Sequence, residues 1–144
     1  MSKGLPGFYI TLTAGGVLAW LWLGGCGLRQ ASSLQSETHI VYSFEVEADY
    51  ATVYERIARR ARLRYVPMGP PRHQPGVSAE LFPENQTGDV TLWDSGGVAI
   101  RYRLSARIQG IDSSHTQVTL YAAGRSDRRE ARLWAVWAAT PPQD

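Results

Sequence analysis

The chain has one cysteine, one lysine and three histidines among 144 residues, and each shortage narrows its chemistry. A lone cysteine closes no disulfide within the chain. His39, His73 and His115 lie far apart with no metal-ligand spacing, so no metal and no cofactor is expected. Lys3 is the only lysine, so the other fourteen of the fifteen basic residues are arginines, against thirteen Asp and Glu. Beyond Lys3 the charge is close to balanced. A GC-rich genome accounts for such a bias, since arginine codons replace lysine codons there. The basic sequence pI therefore makes no case for nucleic acid.

Long apolar runs are scarce too. Met1 to Gly7 holds one charged side chain, Lys3, and Phe8 to Leu23 is uncharged and rich in Leu, Val, Ala and Trp. A weakly positive start, an apolar stretch and small residues behind it are the anatomy of a secretory signal. A permanent membrane helix is the competing reading. Some 16 residues at about 1.5 Å each reach only about 24 Å, short of a roughly 30 Å hydrocarbon core.

Leu23-Gly24-Gly25-Cys26 follows that stretch and resembles the lipobox of bacterial lipoproteins. The resemblance covers residues 1–26. It implies cleavage between Gly25 and Cys26, diacylglycerol on the Cys26 sulfur and a fatty acid such as palmitate on the new amine. Two or more acyl chains give stable attachment, at about 0.8 kcal/mol per buried CH₂. Residue 27 is Gly27, not the Asp that signals inner-membrane retention in enteric members of the family. The expected address is the periplasmic leaflet of the outer membrane. A lipidated Cys26 leaves the mature domain with no cysteine nucleophile and no thiolate ligand.

The expected organisation is a signal peptide at 1–25, lipidated Cys26 and a flexible tether at 26–37, one domain at 38–140 and a tail at 141–144. The tether is polar and aperiodic, and eleven residues of it span at most roughly 35 Å. Ile40, Tyr42, Phe44 and Val46 alternate as a half-buried strand. Asp49 caps a helix whose apolar stripe is Tyr50, Val53, Tyr54, Ile57 and Ala61. The proline-rich stretch 66–76 reads as a loop, and 77–82 and 87–94 as strands. Val98, Ile100, Tyr102, Leu104, Ala106 and Ile108 mark the core face of a long strand. If Leu92 and Ile100 share that face, the hairpin loop must be odd in length, which suits Ser95-Gly96-Gly97. Val118, Leu120 and Ala122 continue the face. Asp127 and Glu130 read as a capping box for a last helix with Leu133, Trp134, Val136 and Trp137 on its apolar side.

The predicted class is α+β: an antiparallel sheet of four or five strands, two helices on one face, order β-α-β-β-β-β-α. That order resembles helix-grip domains, including those of the accessory lipoprotein of the outer-membrane barrel-assembly machine. Val53-Tyr54-Glu55-Arg56-Ile57 is similar to a Val-Tyr-x-Arg-Ile helix of small proteobacterial lipoproteins. The resemblance implies no catalytic residue.

No residue set matches nucleophile, base and orienter, so an enzyme is not expected. Asp112-Ser113-Ser114-His115 has the letters of a hydrolase triad but reads as a turn. Gly96-Gly97 is a hairpin turn, and Glu45 and Glu47 belong to a solvated strand face. Arg101, Arg103 and Arg107 share one side of their strand, and parity adds Trp93 and Tyr121 to it. Arginine beside exposed aromatics is the composition of interface hot spots. The leading expectation is thus an envelope structural or interaction lipoprotein that docks an unidentified protein partner through that face or through loop 67–76. The alternative is a lipid or small-ligand module with a pocket between the sheet and the last helix, lined by Trp134 and Trp137.

Overall fold

The computed structural model describes residues 31–65, 73–96 and 99–141; Cys26, Gly25 and most of the proline-rich loop lie outside them. Helix α1 (Ala31–Leu34) and a 3-10 turn at Glu37–His39 precede β1 (Ile40–Val46). Asp49 caps α2 (Tyr50–Arg64) by accepting from the Thr52 amide at 3.0 Å. Hydrogen bonds from the Thr52 hydroxyl and amide hold the Asp49 carboxyl below its ordinary value. Then come β2 (His73–Phe82), β3 (Thr87–Gly96), β4 (Ala99–Gly110), β5 (Thr116–Ala122) and α3 (Arg125–Ala139).

The five strands form one antiparallel sheet in the order β1-β5-β4-β3-β2. Both long helices lie on the same face, α2 over β2 and β3, α3 over β5 and β1. The protein is α+β. Val90, Leu92, Leu104, Ala106, Ile108, Val118 and Leu120 form the sheet side of the core. Val53, Ile57, Ala58, Ala131, Trp134 and Ala138 form the helix side. Burying each of the larger side chains stabilises by about 1.5–3 kcal/mol, which is what presses two arginine-rich helices onto a sheet.

Four expectations are corrected. Residues 31–37 were expected as free tether, yet Leu34 is only 5% exposed. The Gln35 side-chain amide donates to Ser105 Oγ and Asp89 Oδ1, each at 3.1 Å. Burial of one leucine and one satisfied amide is enough to seat a short polar segment. Strand β2 begins at His73 rather than 77, with Pro75 opposite Asp94. It is an edge strand, where the N–H that proline lacks has no partner to lose.

The hairpin loop is shorter than the three residues expected. Gly96 opposes Ala99, leaving residues 97 and 98 as the connection. The extra residue sits inside β4 instead, so Ile100 and Tyr102, expected on the core face with Leu92, oppose Ser95 and Trp93 on the other face, and Ile100 is exposed. Leu92 opposes Leu104 while Trp93 opposes Tyr102, so Arg103 is a β-bulge. Finally, Gly124 rather than Asp127 is the N-cap of α3, and no capping box forms. Asp127 is buried inside the first turn, bound by Arg103.

Candidate functional site

The bulge divides the five residues expected on one surface. Arg103 turns to the helix side, where its Nε donates to Asp127 Oδ1 at 2.9 Å and its Nη1 lies 3.4 Å from Asp94 Oδ2. Burial draws the Arg103 guanidinium down, but the Asp127 bond and the Asp94 charge outweigh it and raise its pKa. Arg101 opposes Asp94 and so shares that side. Trp93 lies on the other face, its indole donating to Ser78 Oγ at 3.1 Å. Its ring covers Gly76, where a Cβ would stand 2.1 Å from it. Arg107 is on that face too, held by Asp89 at 3.2 Å and by the Gln35 carbonyl. Tyr121, opposite Ser105, is only 7% exposed. Leu34 and Gln35 of the chain itself lie on part of the surface expected to receive a partner, with Gln35 engaging Arg107.

The last-helix tryptophans also separate. Trp134 is wholly buried, its indole donating to the Tyr65 hydroxyl at 3.3 Å. It fills core rather than lining a cavity. Tyr65 donates in turn to Glu130, which accepts from Arg64 at 2.9 Å. Burial, then the bond to Glu130, pushes the Tyr65 phenol up to about 12. Burial pushes the Glu130 carboxyl up, and the Tyr65 and Arg64 hydrogen bonds reverse this and hold it below its ordinary value. Trp137, stacked on Trp134 at 6.2 Å, is half-buried and opens onto the surface between the two helices.

There α2 and α3 leave a groove of about 950 Å³ lined by Glu55, Arg56, Arg59, Leu63, Val136 and Trp137 among others. Its walls are fixed by arginines of α2 that close the end of α3. Arg60 Nη1 donates to the carbonyls of Trp137 at 2.9 Å and Thr140 at 3.0 Å, and Nη2 to Pro141 at 2.9 Å. Arg56 Nη1 donates to Ala138 at 3.1 Å. Cations on the last carbonyls satisfy the orphan acceptors of a helix C-terminus and oppose its negative pole. Arg59 has no carboxylate partner among the described residues. Leu63 is 68% and Val136 54% exposed, one on each wall. The groove thus offers an apolar floor, two exposed apolar side chains and a positive rim.

Neither Leu63 nor Val136 was singled out as functional from the sequence, and Val136 was assigned to the buried side of its helix. The signal existed. Leu63 stands among arginines off the buried stripe of α2, and Val136 lies off the stripe Ala131, Trp134 and Ala138.

The triad letters form a self-contained turn. Asp112 Oδ1 accepts from the Ser114 and His115 amides at 2.7 and 2.8 Å. These bonds, with that of the His115 ring, bring the carboxyl down to about 2. Ser114 Oγ and Asp112 both meet His115 Nδ1. A proton relay needs serine and aspartate on opposite ring nitrogens, so the arrangement cannot pass a proton from one to the other. His39 Nδ1 meets Ser36 Oγ at 2.7 Å. Among the described residues no three His, Cys, Asp or Glu side chains converge, and no helix is long and apolar enough to cross a membrane. No protein-family model matches the chain, and neither a curated protein nor a solved structure matches it.

Proposed function

We propose that the chain is a lipid-anchored protein of the bacterial envelope whose domain docks a partner protein in the α2–α3 groove. The observation that carries the docking reading is the pair Leu63 and Val136, exposed on facing walls over Trp137. Large side chains left in water on both sides of one concavity are what a helix-in-groove interface presents before its partner arrives. The arginine rim selects the partner's chemistry: a segment with apolar anchors flanked by carboxylates. The sheet face expected to dock a partner supports this role less well, because Leu34 and Gln35 of the chain itself lie on it. The anchor reading rests on Leu23-Gly24-Gly25-Cys26 behind the apolar stretch.

A photo-crosslinking residue at Leu63 of the full chain, expressed in its own envelope, tests the groove. The adduct is identified by mass spectrometry, and an acidic amphipathic segment of that partner is assayed against the purified chain. Docking predicts binding weakened at least roughly tenfold by Val136→Glu, as expected for a central apolar contact. Crosslinks to lipid alone, or affinity indifferent to Val136→Glu, reject the groove.

A further inference from the structure

The charge of this domain is sorted along the strand axis, and the sorted end is the one at which the anchored chain arrives. The start of β1 opposes the end of β5 through Ile40 and Tyr121, so the N-terminal segment enters the sheet where α3 begins. Leu34 and His39 lie beside Tyr102 and Ala123 there, next to the first turn of α3. The first residues of β4 and the last of β3 share that end.

Arg101, Arg125, Arg128 and Arg129 are exposed at this end, and none has a carboxylate partner among the described residues. Positions 125, 128 and 129 fall on one helical face. Of the acids nearby, only Glu37, in the turn before β1, stands exposed, and the others are engaged by the protein. Asp127 and Asp94 are held by Arg103, and Glu130 by Arg64 and Tyr65. The opposite end carries Glu45, Glu47, Asp49, Glu84 and Asp112, all at or near the other termini of the strands and the start of α2. Two large apolar side chains, Ile40 and Ile100, stand exposed at the arginine end. Arginines interspersed with exposed aliphatic residues are the composition of a surface that lies on lipid headgroups.

We infer that this end rests on the anionic phospholipid headgroups of the leaflet that holds the anchor, and that the carboxylate end points away. The inference rests on lipid at Cys26. Four residues lie between Cys26 and Ala31, five Cα steps that span at most about 18 Å at roughly 3.6 Å each. The docking of residues 31–37 shortens the leash from the whole tether to that remnant. The arginines are thereby kept close to the headgroup layer, within reach of a field that decays over about 8–10 Å at physiological salt.

The full chain, processed and purified from its own envelope, is reconstituted in phosphatidylethanolamine/phosphatidylglycerol vesicles. Ser126→Cys and Ser113→Cys carry a fluorophore at the arginine end and the far end, and headgroup-labelled lipid is the quencher. We expect quenching at 126 at least about threefold stronger than at 113. Raising NaCl to 0.5 M, where the screening length falls to about 4 Å, should remove the difference. So should Arg125→Glu with Arg128→Glu and Arg129→Glu, in protein whose unfolding midpoint is checked to be unchanged. Equal quenching at both ends of a chain whose intact mass includes the acyl groups overturns the orientation and leaves the anchor standing. A mass without acyl groups overturns the anchor itself, and the orientation with it.

Discussion

At the scale of single residues, Arg103 ties the bulge of β4 to the first turn of α3. Its guanidinium is the partner that Asp127 has inside the first turn of α3, and Asp127 Oδ2 already lacks a hydrogen bond among the described residues. Arg103→Ala strands a buried carboxylate, and we predict a loss of about 3 kcal/mol in urea unfolding. Replacing both partners with apolar residues, Arg103→Met with Asp127→Leu, should recover most of it; a double variant as weak as the single one contradicts this account. Tyr65 supplies a pH signature. Its folded-state pKa, about 12, stands above the ordinary value near 10, so the folded state holds the proton more tightly. That contribution is complete below pH 10 and vanishes as pH rises through 12. Tyr65→Phe should flatten the alkaline limb of the stability profile over this window. Neither pair was legible beforehand. Alternation along residues 98–109 placed Arg103 with Arg107, because a bulge leaves no mark in a hydrophobic pattern and reverses every side chain on one side of it.

At the scale of elements, the pattern-rich segments read well and the pattern-poor ones did not. α2 combines a capping Asp49 with a clean stripe, and β5 and the part of β4 after its bulge alternate strongly, so these were readable. The start of β2 was hidden by Pro75, since a proline argues against a strand until its edge position is known. Gly76 is required there because Trp93 lies across it. Gly76→Val should displace that indole and lower the melting temperature, while Ser113→Val at an exposed turn position should be silent. Helix α1 was read as tether because four residues show no period, and its evidence is tertiary: Leu34 against the sheet. Leu34→Ala should cost about 2–4 kcal/mol and accelerate amide exchange in residues 31–39. Unchanged exchange there would mean that Leu34 does not hold the segment. The groove was half legible, through one apolar residue misplaced on each helix, but only folding shows that Leu63 and Val136 face the same space.

At the scale of the whole molecule, structure and sequence divide the account between them. The core, the five-strand order and the groove belong to the fold; the membrane address proposed here rests on Leu23-Gly24-Gly25-Cys26 alone, which precedes the described residues. The two readings meet at the N-terminal segment. With lipid on Cys26 as proposed, a chain seated through Leu34 and Gln35 would hold its domain by one fixed end, not at the tip of a long leash. Releasing the seat with Leu34→Ala should therefore let the domain stand farther from vesicles, by up to the length of the freed segment. The role of an anchored docking module depends on that anchor, and one measurement decides it. Intact-mass and peptide spectra of the chain recovered from its own envelope should show Cys26 as the first residue, carrying diacylglycerol on sulfur and an acyl group on the amine. A chain that still begins at Met1, or begins elsewhere with an unmodified Cys26, contradicts the account.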